Sequence, residues 1–575
     1  MHIVHIDVRN FRGIKALEWS PAAGINCLIG PGDATKTTIL DAIELALNPR
    51  SYPFADDADF FDLDADQSIR ITVTLVDLPG EFTADDRYGL HLRGWDADKR
   101  VLHDEPAIGL LEALSLRVEI DSSLEARWSI FNDRIGEDND DPPMLRYKHS
   151  QQLVTSRLGP YAERHLSWGR QSVLTQLGGA STTLGMQLAQ ASRSARKAFR
   201  QGNENIFKET VARAEVLSKQ FAVPIRDKYA AELDVRGVTI TAGGIALHDG
   251  RVPLRRLGTG SSRLVVSALQ HDAGASHIAL IDEIEHGLEP HRIARLLKYL
   301  SSPSVVGDTT VPQIFLTTHS PVVIQELTAP HVFSVRSKGG TTIVRSVLEA
   351  AADTNEAQRH LRRSPAAFLA RKIVVGEGKT EQGLCRGLDS CWCSRGLESF
   401  ALCGVSVVDG GGNPNVLMIA ELLCDLGHDT FVLLDSDKPA DQSVVARLRQ
   451  KGATVHEWPD ACATEERIFL DVPFKTVREL VAFAGECIGA ESVKDSINHG
   501  CSKLGAPTVS ELGLPDAFDT QNYRRAIGKV ANAKDWYKDI ARGERLAEIV
   551  MAAYDEMPKK ALTAAIDVLR QWADA

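Results

Sequence analysis

Gly30-Pro31-Gly32-Asp33-Ala34-Thr35-Lys36-Thr37-Thr38 lies between a short apolar strand, Ile25-Asn26-Cys27-Leu28-Ile29, and a helix predicted over 37–47 that stops at Asn48-Pro49. A strand, a small-residue turn and a helix in that order form the context of a phosphate-binding loop. Small residues let backbone N–H groups face the phosphates, and the helix N-terminus adds positive potential. In this reading Gly30 and Gly32 shape the loop, and Lys36 reaches the β- and γ-phosphates of ATP. Thr37 holds Mg²⁺, and Thr38 completes the site. Thr35 stands where the pattern has its second glycine, which predicts strain or altered nucleotide affinity.

The rest of the first half supplies what such a loop needs. Ile278-Ala279-Leu280-Ile281 is a buried strand ending in Asp282-Glu283, a pair suited to magnesium binding by Asp282 and water activation by Glu283. Glu285-His286-Gly287-Leu288-Glu289-Pro290 follows at once. A further apolar strand, Ile314-Phe315-Leu316-Thr317, runs into Thr318-His319-Ser320-Pro321. Upstream, Leu257-Gly258-Thr259-Gly260-Ser261-Ser262-Arg263 opens a helical pattern.

In the second half, the strand Ile373-Val374-Val375 meets Gly376-Glu377-Gly378-Lys379-Thr380-Glu381. Val407-Val408-Asp409-Gly410-Gly411-Gly412 follows, then a helix at about 414–426. Phe431-Val432-Leu433-Leu434 then runs into Asp435-Ser436-Asp437. Strand ends gather carboxylates at one edge of a parallel sheet. Asp435 and Asp437, two apart, share a side if the chain stays extended. Oxygen donors of this kind suit Mg²⁺ or Mn²⁺, and two such metals suit phosphodiester cleavage.

Composition limits the remaining possibilities. The chain has 575 residues, 43% hydrophobic and 25% charged, which is ordinary for a folded protein of several domains. No run approaches the roughly 20 apolar residues of a membrane helix, and the start Met1-His2-Ile3-Val4-His5-Ile6-Asp7 lacks signal-peptide order, so a cytoplasmic enzyme is expected. Nine cysteines, an odd number, argue against a disulfide framework. Cys391-Trp392-Cys393 has no paired C-x-x-C and reads as reduced thiols. The net charge of −12 leaves only local basic patches for DNA, with Arg193, Arg196, Lys197 and Arg200 one candidate and Arg362-Arg363 another. Glu137, Asp138, Asp140 and Asp141 before Pro142-Pro143 read as an acidic loop. Strand signals mark 70–78, 116–132 and 236–248, and the pattern over 150–230 is helical.

The order of these motifs carries a resemblance. The phosphate loop, the Gly258–Arg263 segment, the Asp282-Glu283 strand, Glu285–Pro290 and the His319 strand resemble an ABC-type ATPase of the RecF and SMC branch. That resemblance implies that His319 senses the γ-phosphate, that Gly260 caps ATP held by a partner subunit, and that Gln67 is a candidate for the Q-loop glutamine. The Glu377–Glu381 and Asp435–Asp437 segments resemble a Toprim domain. ATPase followed by Toprim is the make-up of OLD-family nucleases, which Ala533-Lys534-Asp535-Trp536-Tyr537-Lys538 also resembles. This implies an α/β protein with four segments. Residues 1–150 begin the ATPase, 151–230 form a helical dimerisation insertion, 231–350 complete the ATPase, and 351–575 form the Toprim domain with C-terminal helices. The resemblance further implies a metal-dependent DNA endonuclease regulated by ATP and linked to phage defence, working as a homodimer or larger homo-oligomer, with a helicase-like partner. Glu377, Glu381, Asp435 and Asp437 are its metal and catalytic candidates. Lys538 is expected to stabilise charge on the phosphate, and either Glu465 or Glu466 supplies a further acid. The alternative is a RecF- or SMC-like repair ATPase whose Toprim domain only binds nucleic acid.

Overall fold

The computed structural model describes the whole chain except residues 49–54, 85–86, 135–142, 147–148, 150, 154, 160–161, 169–171, 179–181, 203–206, 221–225, 227, 230, 232–244, 273–276, 303–311, 352 and 504–506. The expected acidic loop at 137–142 and most of the strand signal at 236–248 lie outside the described residues. The protein is mixed α/β and divides into two compact units. Unit 1 holds 1–11, 20–25 and 39–317; unit 2 holds 12–19, 26–38 and 318–575.

Unit 1 contains two runs of strands. In the antiparallel run, His2–Phe11 pairs Ile69–Val76, which pairs Leu111–Ile120; that strand also pairs Arg93–Asp96 and Ala126–Phe131. Alternation in His2–Phe11 places Ile6 and Val8 inside, with Val4 in a small core against Val76, Trp95 and Ala113. The second run is parallel: Gln313–Thr317, Ile278–Ile281 and Ser156–Leu158. The last strand falls in the stretch whose pattern reads as helical. Three residues are too few to show a two-residue period, and only the neighbouring Ile278–Ile281 makes them extended. The helical reading holds for Thr182–Gly202 and Lys208–Gln220.

Unit 2 begins with a second group of strands. Ile25–Ile29, which feeds the phosphate loop, pairs in parallel with Val332–Lys338, and Val332–Lys338 turns back antiparallel onto Thr341–Ser346. A four-stranded, fully parallel sheet follows, ordered Val405–Asp409, Lys372–Gly376, Asp429–Leu434, Thr454–Glu457. Its two central strands are continuous apolar runs, as strands covered on both faces require. One hydrophobic core joins this sheet to the C-terminal helices, from Val374 and Phe431 through Phe469 and Trp536 to Ile566.

Three glycines set how closely those helices pack. The helix Lys379–Ser394 lies against Ile540–Ala552 with Gly383 facing Gly543 and Gly387 facing Ala547. A Cβ on Gly387 would come within 2.5 Å of the Ala547 Cβ and the Glu544 carbonyl oxygen. Gly383 and Gly387 are four apart and share a face, so backbone meets backbone along one stripe. This crossing brings the start of the first helix, with Glu381, beside Trp536-Tyr537-Lys538 just ahead of the second. Gly387→Leu should therefore force the helices apart and lower stability by about 1–3 kcal/mol, read as a fall in the urea midpoint of the full chain.

Candidate active sites

The phosphate loop and His319 belong to unit 2, whereas Gly260, Asp282 and Glu283 belong to unit 1. Gly30 has φ +147°, and a Cβ there would overlap the Val335 carbonyl oxygen, so glycine is required. Thr35 adopts φ +63°, the left-handed conformation its missing glycine would accept freely. A β-branched residue there costs about 1–3 kcal/mol. Its hydroxyl offsets some of that by bonding the Ala34 carbonyl oxygen at 2.7 Å and the Thr342 hydroxyl at 3.0 Å. The buried Lys36 ammonium folds over its own loop and donates to the carbonyls of Gly30 at 3.1 Å and Pro31 at 2.7 Å. Thr37 is exposed at the helix start, and His319 is exposed beyond its strand.

In unit 1, Asp282 accepts from the Thr317 hydroxyl at 2.7 Å and lies 3.3 Å from the Arg157 guanidinium. The Glu283 N–H donates to the same Thr317 oxygen at 2.8 Å. Arg157 also pairs with Asp41 of the phosphate-loop helix at 2.9 Å. Gly260 packs against Gly287, where a Cβ would overlap the Gly287 carbonyl oxygen. Arg263 is fully buried and donates to the carbonyls of Gly159, Asp282 and Glu283 at 2.7–2.9 Å. Arg157 and Arg263 thus orient the acidic pair. The Gly258–Arg263 motif by itself gives Arg263 no role, and Arg157 carries no sequence signal. Gln67 lies in the turn before Ile69–Val76, where its carbonyl accepts from Asn10.

The Toprim carboxylates all lie in unit 2. Glu377 follows its strand directly, and its Oε1 accepts the Asn413 N–H at 3.3 Å. Glu381 is buried, with Oε2 taking the Gly378 N–H at 2.8 Å at the helix start. Asp435 accepts both the N–H and the hydroxyl of Thr464, at 3.0 and 2.8 Å. Asp437 is exposed. Glu465 and Glu466, adjacent on the helix Thr464–Asp471, point to different surroundings. Glu466 lies 3.6 Å from Arg525, while Glu465 sits among Glu381, Asp435 and Lys538. Glu465 thus shares the field of Glu381 and Asp435, whereas Glu466 faces Lys529, Arg525 and Asp437. Thr464 and Thr380 are further members that the sequence did not single out.

Burial, then mutual repulsion, governs the charge here. Burial, followed by the charges of Glu381, Glu465 and Glu377, holds the Asp435 carboxyl well above its ordinary range. Burial and Glu381 push Glu465 up to about 7. Glu377 is raised by burial, with Glu381 and Asp437 adding to it. Lys538 is exposed, bonded to Asp535 at 3.0 Å, and its ammonium is favoured first by that bond and then by Glu465 and Glu381. No three His, Cys, Asp or Glu side chains among the described residues are arranged as a ready metal cage. The acids share a field rather than a common point.

Two outcomes follow. Thr35→Gly should relieve the left-handed strain and tighten ATP binding, measured by calorimetry. For Glu465 the folded value of about 7 lies above the ordinary 4.5, so its cost to the fold is absent below about 4.5, grows as pH rises from there to about 7, and is full above that. Glu465→Gln should thus raise the metal-free melting point at about pH 8, by roughly 2–4 °C for each kcal/mol relieved, and change little near pH 4.

Two segments of the chain match known families. Residues 130–325 match a family described as an AAA domain of the AbiEii, Type IV TA system kind, and residues 368–437 match the Overcoming lysogenization defect protein-like TOPRIM domain. The DNA replication and repair protein RecF of Nitrosococcus oceani is 46% identical over 52 residues, 9% of this chain and 14% of that relative. Among solved structures, an SMC head bound to the winged-helix domain of ScpA aligns over 60% of this chain and 97% of that one, at 12% identity and a TM-score of 0.34. The SMC head domain of Thermotoga maritima covers 60% and 99%, at 13% and 0.28. Both scores are too low to bear on the fold. The chain therefore carries a segment similar to an AAA-type ATPase domain followed by one similar to the TOPRIM domain of Overcoming lysogenization defect-like proteins.

Proposed function

We propose that the chain is a metal-dependent DNA endonuclease whose Toprim carboxylates cut or nick the phosphodiester backbone under the control of its ATPase domain. The observation that carries this is the gathering of Glu377, Asp435 and Glu465 around the buried Glu381, whose charge adds to burial in raising all three carboxyls. A protein core does not retain such a cluster for stability, since repulsion between like charges in a dry site works against folding. A hard divalent cation with oxygen ligands removes the conflict, so the donor set fits Mg²⁺ or Mn²⁺. Glu377, Asp435 and Asp437 would hold such ions with Glu381 and Glu465 behind them. Bound there, they would neutralise charge at the phosphate and make a water more acidic.

The chain's own residues do the rest. Thr464 fixes one oxygen of Asp435 with two hydrogen bonds and leaves the other for a ligand. The Asn413 N–H sets the direction of Glu377. Lys538, exposed at the edge of the cluster, can leave Asp535 for a non-bridging phosphate oxygen as charge builds there. In the ATPase half, Lys36, Thr37 and Thr38, with His319, would take the phosphates of MgATP, and Asp282 and Glu283 are the acids whose chemistry suits magnesium binding and activation of a water. Gly260 closes on ATP in a second copy, which makes the working form a homodimer or larger. No described helix is long and apolar enough to cross a membrane, and a cytoplasmic role in phage defence suits this reading.

A second reading, a RecF-like repair ATPase with a non-cleaving Toprim domain, is favoured by the short RecF match. Supercoiled plasmid with Mg²⁺ or Mn²⁺, with and without ATP, decides between them. Nicking should appear and fall at least a hundredfold in Glu377→Ala and Asp435→Ala, while both keep ATP binding. ATP turnover that rises with DNA and never yields a nick would instead support the repair reading.

A further inference from the structure

We propose that Arg363 is a positioning residue for Glu377, and that it ties the Toprim carboxylates to the segment that follows His319; this rests on the nuclease reading above. Arg363 is the last residue of the helix Thr354–Arg363, ahead of the first Toprim strand. Its guanidinium Nη2 lies 2.9 Å from Asp409 Oδ2. The other oxygen of the same carboxylate, Oδ1, accepts the Gly411 N–H at 2.8 Å. Asp409 is therefore held from both sides, by Arg363 on one oxygen and by the glycine loop on the other.

The loop so held is the one that aims Glu377. Its backbone donates three times to that strand end: Gly410 N–H to the Gly376 carbonyl at 2.8 Å, Gly412 N–H to the Glu377 carbonyl at 2.8 Å, and Asn413 N–H to Glu377 Oε1 at 3.3 Å. Gly411 and Gly412 both take φ +84°, and a Cβ on Gly411 would overlap the Arg363 guanidinium. The guanidinium thus occupies the space beside Gly411 as well as pairing with its aspartate. Arginine suits this place because its planar group can stack and donate together, which an ammonium cannot.

Upstream the chain of contacts has no gap. Ser320, next to His319, caps the helix Pro321–Glu326 by accepting the Val322 N–H. Gln325 of that helix donates to the Arg362 carbonyl at 3.3 Å. Gln358 of the Arg363 helix donates to the Leu327 carbonyl at 3.0 Å and accepts the Ala329 N–H at 3.0 Å. All these residues belong to unit 2. A shift of the His319 segment on meeting a γ-phosphate would move the Arg363 helix, and through Asp409 it would turn the loop that aims Glu377.

A merely structural ion pair predicts something else. Arg363 is 39% exposed and Asp409 21%, and a pair that open adds little to stability. Losing it should leave the melting point nearly unchanged, whereas a misaimed ligand carboxylate weakens metal binding by about tenfold. The full chain is titrated with Mn²⁺ without nucleotide, followed by electron paramagnetic resonance, with Glu377→Ala as the baseline. Arg363→Ala and Asp409→Asn should bind Mn²⁺ about tenfold more weakly, with Arg363→Lys in between and all three folded by thermal melt. The ratio of plasmid nicking with ATP to nicking without it should fall to one in Arg363→Ala. Wild-type Mn²⁺ affinity in both Arg363→Ala and Asp409→Asn overturns the positioning role, and an unchanged ATP ratio overturns the link to His319. A wild-type chain that binds Mn²⁺ at Glu377 yet nicks nothing sinks the nuclease reading alone, because the Mn²⁺ comparison still stands.

Discussion

Repulsion among buried carboxylates is the constraint around which the second half of this protein is arranged. Asp435, Glu465 and Glu377 are each held toward the neutral form first by burial and then by the charge of Glu381, with Glu465 and Glu377 adding at Asp435 and Asp437 adding at Glu377. The surrounding structure keeps them together through bonds that do not involve charge neutralisation. Two hydrogen bonds from Thr464 fix Asp435, and backbone N–H groups fix Glu381 and Glu377. The scaffold that bears this strain is a parallel sheet and glycine-tight helix packing, sharing one core with the C-terminal helices. Sites of this kind sit where stability has been given up for chemistry.

The ATPase residues follow a different logic. Arginines hold their acidic pair in place: Arg157 faces the carboxylates of Asp282 and Asp41, and Arg263 ties down the backbone of Asp282 and Glu283. Lys36 is likewise occupied by the carbonyls of its own loop. Arg263 adds a mechanical consequence. It begins in the segment carrying Gly260 and ends on the acidic strand, so a change felt at one is passed to the other.

Much of this was legible in one dimension. Motifs bound to strand ends, such as Gly30–Thr38, Ile278–Glu283 and the Glu377 and Asp435 segments, declare themselves because an apolar run, a turn and a polar chemistry fall within a few residues. The strands Ile278–Ile281 and Lys372–Gly376 and the helix Asn415–Asp425 lie where the pattern places them. The strand Ser156–Leu158 does not, because three residues carry no period and a neighbour alone decides their conformation.

The sequence by itself determined the order of the two motif groups and which acids stand as candidates, since ligand type and loop shape are local properties. Tertiary structure alone decided which acids share a field. Glu465 and Glu466 are neighbours with the same chemistry, and only the packing of their helix, with Gly528 against Glu466, turns one toward Glu381 and Asp435 and the other toward Lys529, Arg525 and Asp437. It alone also gave roles to Arg157, Arg263 and Arg363, whose partners lie 19 to 125 residues away. An arginine's meaning depends on which oxygens surround it, and that is set by chain crossings that no local pattern encodes.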